Sequence, residues 1–223
     1  MPFSWATLFF DQKMQLLCDR CQECLEQIIG ERCITCSRLL SQLSADHYQD
    51  QVCLDCMKWS ESGRKFLDSN HSFFVYNEFL KDMMARAKYR GDYILLKVFA
   101  QYFRKSVLPG SVVVPIPLSE ERHLERGFNQ AEAIGTLACI EMIHALTRVH
   151  NEKQAKKNRA ERLNNAQVFQ TNGIDLTGCR VTLLDDIYTT GATLNLAAQE
   201  LKQTAGAVEV RSLTIARSTG INF

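Results

Sequence analysis

The sequence predicts an α/β protein in which a parallel sheet is flanked by helices and a small cysteine-rich module precedes the sheet. Three observations support this fold class. Seven of the nine cysteines fall within the first 56 residues. From residue 111 onward, apolar segments typical of buried strands alternate with helical segments. The length of 223 residues allows one domain of usual size with a small satellite. We therefore predict a module over 1–62 and an α/β domain over 63–223.

Two Cys-x-x-Cys pairs in the module predict a structural metal site. They are separated by 16 residues, a spacing at which two turns place four thiolates around one tetrahedral Zn2+. Disulfides suit exported proteins, and the sequence shows no export signal. Reduced thiols without a metal are the simpler alternative. The four predicted Zn2+ ligands are Cys33, Cys36, Cys53 and Cys56.

A third pair, Cys18 and Cys21, has no matching fourth pair, and Cys24 overlaps with it at the same spacing. Three interpretations of this pair remain open. It is half of a second zinc site, an alternative partner for the first of the two pairs described above, or a set of plain thiols. The residues alone do not decide among these interpretations.

Alternating patterns place the elements of the α/β domain in order. An apolar segment over 71–77 predicts a strand, and two helical segments follow, interrupted at Gly91. Beyond residue 110, the order strand, helix, strand, helix, strand predicts a parallel sheet with right-handed crossovers. The predicted helices cover 78–88, 93–103, 129–142 and 193–204, and the later strands cover 111–118, 180–187 and 208–216.

Charge and hydropathy exclude several classes of protein. Lys and Arg number 26 against 25 Asp and Glu, a net charge of +1, so the overall charge gives no support for a polyanion binder, although it does not exclude local basic patches. No segment approaches the roughly 18 consecutive apolar residues of a membrane-spanning helix. The opening MPFSWATLFF has no Lys or Arg ahead of its apolar residues, unlike a secretory signal peptide. We expect a cytoplasmic protein without membrane insertion.

The segment VTLLDDIYTTGAT, residues 181–193, predicts a ligand site. Two carboxylates, Asp185 and Asp186, follow a buried strand at its carboxyl end, where parallel α/β sheets bind ligands. A Thr- and Gly-rich turn then leads into a helix, whose first N–H groups suit a phosphate. Carboxylates accept hydrogen bonds from ribose hydroxyls and meet Mg2+ through those hydroxyls or water. The pattern therefore suits a 5-phosphoribosyl group, whereas the P-loop motif for a triphosphate is missing.

This segment resembles the phosphoribosyl pyrophosphate (PRPP) signature of type I phosphoribosyltransferases, and the resemblance implies their fold. It also implies that Asp185 and Asp186, the candidate catalytic residues, face the ribose hydroxyls and Mg2+. The residues that would hold the 5-phosphate are Thr189, Thr190, Gly191, Ala192 and Thr193. A strand that ends in a capped helix, with both carboxylates merely solvated, is the simpler alternative.

Nearly the whole sequence is similar to the ComF family, whose members join a zinc ribbon to a phosphoribosyltransferase-like domain. Family members commonly have another Cys-x-x-Cys pair near the first residue, which is missing here. The resemblance implies that AKYRGDY, residues 87–93, faces pyrophosphate, with Lys88 and Arg90 as the cations. Surface charge at a helix end is the alternative for these two. The similarity is carried by LCDRC, CITC, CLDC, YNEFLKDMMARAKYRGDY, VPIPLSEERHLERGFNQAE and the positions Arg148, Gln154, Arg162, Asn165 and Phe169.

A basic segment over 148–165 precedes the second strand of the predicted sheet. It has six Lys and Arg residues against two Glu, a net charge of +4. Its function would be to close over PRPP or to contact nucleic acid, and a solvated loop is the alternative. The candidate contact residues are Lys156, Lys157, Arg159 and Arg162.

Two classes of function follow. In the first, the protein is an enzyme that transfers a phosphoribosyl group from PRPP, while Mg2+ and cations stabilise the departing pyrophosphate. In the second, it binds single-stranded DNA or a competence helicase, and the PRPP site is a sensor or a relic. The ComF resemblance implies a role in DNA uptake during natural transformation and does not exclude the first activity. No motif indicates an acceptor.

Overall fold

The computed structural model describes residues 16–149 and 168–218, so Lys156, Lys157, Arg159 and Arg162 lie outside the described residues. None of the described helices is long and apolar enough to cross a bilayer. The described strands are β1 (Tyr48–Gln49), β2 (Val52–Cys53), β3 (Ser69–Val75), β4 (Val112–Pro115), β5 (Leu146–Arg148), β6 (Phe169–Thr171), β7 (Arg180–Tyr188) and β8 (Glu209–Arg217). The described helices are α1 (Asp19–Glu23), α2 (Leu54–Glu61), α3 (Glu78–Tyr89), α4 (Lys97–Ser106), α5 (Glu120–Arg126), α6 (Gln130–Leu137) and α7 (Ala192–Gln203).

The central sheet has four strands in the spatial order β3-β8-β7-β4. Each neighbouring pair is parallel, so the predicted parallel sheet is confirmed. The strand predicted over 71–77 joins this sheet as an edge strand. Helix α7 connects the inner strands β7 and β8, as expected for a parallel crossover. The carboxyl ends of both inner strands therefore lie at the same end of the sheet.

Helices cover both faces of the sheet. Consecutive residues of a strand point to opposite sides, so a continuously apolar strand has two faces to bury. Leu183 belongs to a hydrophobic cluster that includes Leu201 of α7 and the cysteine module. The next residue, Leu184, belongs to a second cluster with Phe99 of α4 and Ile134 of α6. The strands are continuously apolar in sequence because both of their faces are buried.

The cysteine module shares a hydrophobic core with the sheet. Its strands β1 and β2 form a short antiparallel pair, and its four paired cysteines lie in the same cluster as the β7 residues. The Ile28 N–H donates to the Phe73 carbonyl at 2.9 Å, and the Asn70 N–H donates to the Thr35 carbonyl at 2.7 Å. Helix α2 ends just before the predicted boundary between residues 62 and 63. The division into two domains stays a prediction.

Helix α6 ends five residues before its predicted end. Cys139 has a left-handed backbone with φ of 53°, and the N–H groups of Cys139 and Ile140 donate to the carbonyls of Thr136 and Gly135 at 3.0 and 2.9 Å. This pair of bonds is a Schellman motif, which usually has glycine at its left-handed position. Because a cysteine stands there, the sequence carries no stop signal, and the prediction was too long.

Two strands of three residues each, β5 and β6, were not predicted. They pair antiparallel with Arg148 opposite Phe169, and the Val149 N–H donates to the Val168 carbonyl at 2.9 Å. Three residues are too few to show a periodic pattern in the sequence. The pairing brings together the two described positions that flank residues 150–167.

Candidate ligand site and metal centre

Asp185 and Asp186 lie near the carboxyl end of the inner strand β7. The Oδ1 of Asp185 accepts a hydrogen bond from the Asp186 N–H at 2.8 Å. The Nζ of Lys88, in the last turn of α3, forms an ion pair with the Oδ2 of Asp186, and the two side chains are only 14% and 15% exposed. Lys88 thus lies against the acid pair rather than free for a pyrophosphate. Arg90 is exposed at the cap of α3 and forms no ion pair with any residue that the structure describes.

Burial is the main cause that raises the pKa of Asp185 to about 7, and the charge of Asp186 adds to it. The Asp186 N–H and the Lys88 ammonium act in the opposite direction. Near neutral pH, Asp185 therefore exchanges its proton readily. The acid pair then carries between one and two negative charges, of which Lys88 balances one.

An arginine with no predicted role at the ligand site, Arg148, lies in the field of the acid pair. Burial and, after it, the charge of Arg122 lower the pKa of Arg148, whereas the charge of Asp185 raises it. The Arg148 guanidinium also lies over the ring of Phe169, 5.7 Å from its centroid. The only signal for either arginine was the family resemblance, through the position of Arg148 in the family pattern and through the segment VPIPLSEERHLERGFNQAE for Arg122.

The loop that follows the acid pair leads directly into α7. Thr189 and Thr190 are exposed, and Gly191 is buried with a left-handed φ of 82°. A Cβ at Gly191 would lie 2.1 Å from the Tyr188 hydroxyl, so no other residue fits there without displacing the ring. The first N–H groups of α7 have no helical partners and carry its positive dipole end. The loop is therefore chemically suited to an anion.

Asp185 and the loop border one small cavity of about 30 Å³. A cavity of this volume has room for ordered water but not for a sugar phosphate. Side chains would therefore have to move before a phosphoribosyl ligand could enter. The residues that line the cavity are Asp185, Ile187, Tyr188, Thr189, Gly191, Ala192, Thr193 and Leu194.

The four predicted metal ligands form one buried cluster. Their Sγ atoms all lie within 4.8 Å of one another, and the Sγ atoms of Cys36 and Cys53 are 3.6 Å apart. Tetrahedral Zn2+ with Zn–S bonds of about 2.3 Å places its sulfurs about 3.8 Å apart. The Cys53 N–H points to the Cys33 Sγ at 3.4 Å, a contact that stabilises a thiolate. The donor set therefore fits a zinc ion.

The thiols of this cluster cannot all ionise by themselves. The Cys33 sulfur, followed by that of Cys36, raises the pKa values of Cys53 and Cys56. Hydrogen bonds from the other thiols, that of Cys36 first, lower the pKa of Cys33, and the pKa of Cys36 is lowered as well, to about 6. Without a cation, the cluster therefore favours negative charge on Cys33 and Cys36 and protons on Cys53 and Cys56. A divalent metal removes this competition, because it stabilises all four thiolates together.

The third cysteine pair is not part of this cluster. Cys18 and Cys24 flank α1 and are exposed, and Cys21 lies within α1 and is half-buried. Over residues 16–149 and 168–218, the only group of three or more potential metal ligands is the buried cluster. The proposed second half-site therefore stays a prediction.

A parallel sheet with paired carboxylates and a Thr-Thr-Gly loop at the carboxyl end of an inner strand, joined to a four-cysteine module, defines an α/β protein of the phosphoribosyltransferase-like class. The chain is 37% identical to Competence protein ComFC of Bacillus subtilis over 222 residues, covering 96% of this chain and 90% of the relative. It is 34% identical to Competence protein ComFC of Streptococcus pneumoniae, covering 90% and 87%. The chain belongs to the ComF family.

Other comparisons are more distant. Competence protein F of Haemophilus influenzae is 27% identical and covers 91% of this chain and 90% of its own. Among solved structures, the allosteric regulatory enzyme of purine biosynthesis matches with 18% identity and a TM-score of 0.38, covering 53% of this chain and 24% of its own. A hypoxanthine phosphoribosyltransferase of Staphylococcus aureus matches with 14% identity and a TM-score of 0.33, covering 55% and 60%. No model of a protein family matches the chain.

The four-cysteine site predicts one zinc ion per chain, measurable by elemental analysis of the purified protein. Replacing Cys36 with serine should remove the zinc and lower the free energy of unfolding by about 4 kcal/mol or more, because the metal contributes directly to folding. Cys139→Ser, at an exposed position, is the matched control and should keep both the zinc and the free energy of unfolding of the wild type. Zinc loss in Cys18→Ser would instead assign the third pair to the metal centre.

The raised pKa of Asp185 predicts that stability falls as the pH rises. The carboxyl of Asp185 ionises near pH 4 in the unfolded chain and near pH 7 in the folded protein. The free energy of unfolding therefore falls between these two pH values and is constant above them. Asp185→Asn should therefore stabilise the protein by about 2–4 kcal/mol at pH 8 and by little at pH 4. Denaturant unfolding at both pH values measures this difference. The exposed Asp82→Asn is the control, and an equal effect of Asp185→Asn at both pH values would contradict the assignment.

Proposed function

We propose that this chain acts in DNA uptake and binds PRPP with Mg2+ at the carboxyl end of β7. The observation that carries the proposal is the cavity bordered by both Asp185 and the Thr-Thr-Gly loop. The Asp185 carboxylate, which would bind the sugar, and the loop amides, which would bind the phosphate, thus border the same cavity. The printed names of the Bacillus and Streptococcus relatives, both competence proteins, support the biological setting.

Each part of the site has a distinct task in this proposal. Ionised Asp185 and Asp186 accept hydrogen bonds from the two ribose hydroxyls, and the loop amides hold the 5-phosphate. Mg2+ would be held through the ribose hydroxyls, water and the pyrophosphate oxygens, and would neutralise the charge of the leaving group. Lys88, released from Asp186, is the cation within reach of the pyrophosphate. Arg148, whose charge interacts with that of Asp185, adds positive charge beside the acid pair.

The same arrangement would support phosphoribosyl transfer. Transfer breaks the bond between the anomeric carbon and a pyrophosphate oxygen and forms a bond to an acceptor, which gives up a proton. No protein nucleophile is required, because positioning and charge stabilisation supply the catalysis. The acid pair and Lys88 hold the sugar and the leaving group, and Zn2+ at the four cysteines has a structural task. The reduced thiols of the four cysteines suit the reducing cytoplasm, where we propose that the protein resides.

Calorimetric titration of zinc-quantified protein with PRPP and Mg2+ tests the proposed binding. The wild type should bind, and Asp185→Asn/Asp186→Asn should bind at least about ten-fold more weakly, because each lost hydrogen bond to a charged group costs about 1.5–3 kcal/mol. Asp82→Asn, also a carboxylate-to-amide change, should bind like the wild type. Absence of binding by the wild type, or equal binding by the double variant, would refute a PRPP site.

A second candidate function is binding of single-stranded DNA, with the fold as a scaffold or sensor. The observation that favours it is the pairing of β5 with β6, which brings together the described residues on either side of 150–167, with Arg148 close enough to Asp185 for their charges to interact. The basic segment over 148–165 has six Lys and Arg residues, of which the structure describes Arg148. A competence helicase is the partner protein that this function would serve.

Salt-dependent binding of a labelled oligonucleotide tests the second function. Lys156→Glu/Lys157→Glu should weaken binding at low salt and flatten the dependence of log affinity on log salt by about 1–2 units, because two phosphate contacts are lost. Arg104→Glu/Lys105→Glu makes the same change in charge and is the control. These residues lie at the end of α4, shortly before the amino end of β4. Salt-insensitive binding, or equal losses in both variants, would exclude this role for the segment.

A further inference from the structure

A buried arginine holds the loop that follows the acid pair. Arg217 is the last residue of β8, lies beside the end of β7 and is only 3% exposed. Its Nη1 donates to the carbonyl of Tyr188 at 3.3 Å and to that of Thr189 at 2.7 Å, and also to the carbonyl of Ser218. One guanidinium group therefore fixes two consecutive peptide groups at the start of the loop.

The cysteine module holds the next peptide group of the same loop. The indole Nε1 of Trp59, in α2, donates to the Thr190 carbonyl at 3.0 Å. The helix that carries Trp59 also carries Cys56, a member of the buried cluster. Three consecutive carbonyls, those of residues 188–190, are thus held by side chains that are not part of the loop.

Fixing these carbonyls also fixes the N–H groups that the loop offers. No cis peptide bond occurs among the described residues, and in a planar trans peptide the N–H points away from the C=O. The N–H groups of Thr189, Thr190 and Gly191 are therefore directed away from Arg217 and Trp59. A set of amides with one fixed orientation is what an anion site requires.

The same arginine is in contact with the metal centre. Its guanidinium lies over the Tyr188 ring at 4.8 Å from the centroid and interacts with the Cys36 thiol. Its Nε is buried and has no hydrogen-bond partner among the described residues. Four thiolates outweigh the charge of one divalent cation, so a loaded site is anionic and would balance Arg217. Without the metal, the four cysteines are no longer held in one geometry beside Arg217.

We propose that Arg217 and Trp59 are positioning residues that couple metal binding at the four cysteines to the geometry of the Thr-Thr-Gly loop. With metal bound, the anionic centre anchors Arg217 and the module anchors Trp59, so the loop amides keep one orientation. Without metal, both anchors weaken and the loop samples other conformations. The consequence for anion affinity rests on the proposed PRPP function, whereas the coupling of metal to loop does not.

Hydrogen exchange of the loop amides tests the coupling without any ligand. We expect peptides over 186–194 to exchange about ten-fold faster or more after zinc removal by a chelator, and to recover when zinc is returned. Zinc-loaded Arg217→Lys, which keeps the charge but lacks the fork, should exchange fast as well. Arg211→Lys, at an exposed position on the same strand, is the matched control and should match the wild type. Peptides of β4 serve as the internal reference in each sample.

Trp59→Phe provides a second variant if Arg217→Lys fails to fold, because it keeps an aromatic ring and removes one hydrogen bond. It should speed loop exchange about five-fold with zinc bound. By reciprocity, both variants should also bind zinc more weakly than Arg211→Lys does, measured at equilibrium by competition with a chelator. Loop exchange in zinc-loaded variants that equals the wild type would overturn the proposal.

A PRPP titration of the same zinc-loaded proteins separates this proposal from the proposed function. If the wild type binds PRPP, Arg217→Lys should bind about 5–150-fold more weakly, the usual range for coupled sites, with Arg211→Lys unchanged. If the wild type does not bind PRPP but zinc still slows loop exchange, the proposed function fails and the coupling stands. Equal PRPP affinity in Arg217→Lys and wild type would overturn the positioning role.

Discussion

The position of β7 between β4 and β8 is the constraint on which the rest of the structure depends. Its middle supplies Leu183 and Leu184 to hydrophobic clusters on opposite faces, so helices must cover both sides. Its carboxyl end then places the acid pair where helices and neighbouring strands exclude water. Its last residue, Tyr188, packs in the cluster that contains the cysteines. One buried strand thereby brings the ligand site and the metal centre together.

Burial makes charge balance the deciding property of the ligand site. Two adjacent carboxylates and one lysine are largely shielded from solvent, so Asp186 pairs with the lysine and Asp185 keeps a proton to about pH 7. In the proposed function, a sugar phosphate with a divalent cation would bring both signs of charge and would replace these internal partners. The cavity of about 30 Å³ is too small for that ligand, so side chains would have to move before it bound.

The sequence predicted those features that depend on neighbours in the chain. Buried strands, the four-cysteine spacing and the acid-loop motif all have local signals, and the parallel sheet and the cysteine cluster are confirmed. It failed where structure depends on contacts between distant segments. The left-handed Cys139 carries no glycine signal, and the partner of Lys88 lies about 100 residues away along the chain. Arg217 lies one residue beyond the strand predicted over 208–216 and had no predicted role, yet it is almost fully buried.

The shared core argues against reading the cysteine module as a separate appendage. Its sulfurs lie in one hydrophobic cluster with β7 and α7, and its α2 helix supplies the indole that holds the loop. A binding module that worked alone would need neither contact, because flexible linkage would serve it better. A metal at the four cysteines would instead lie close enough to act on the loop through a single arginine. Zinc bound there would therefore be part of the framework that orients the proposed ligand site.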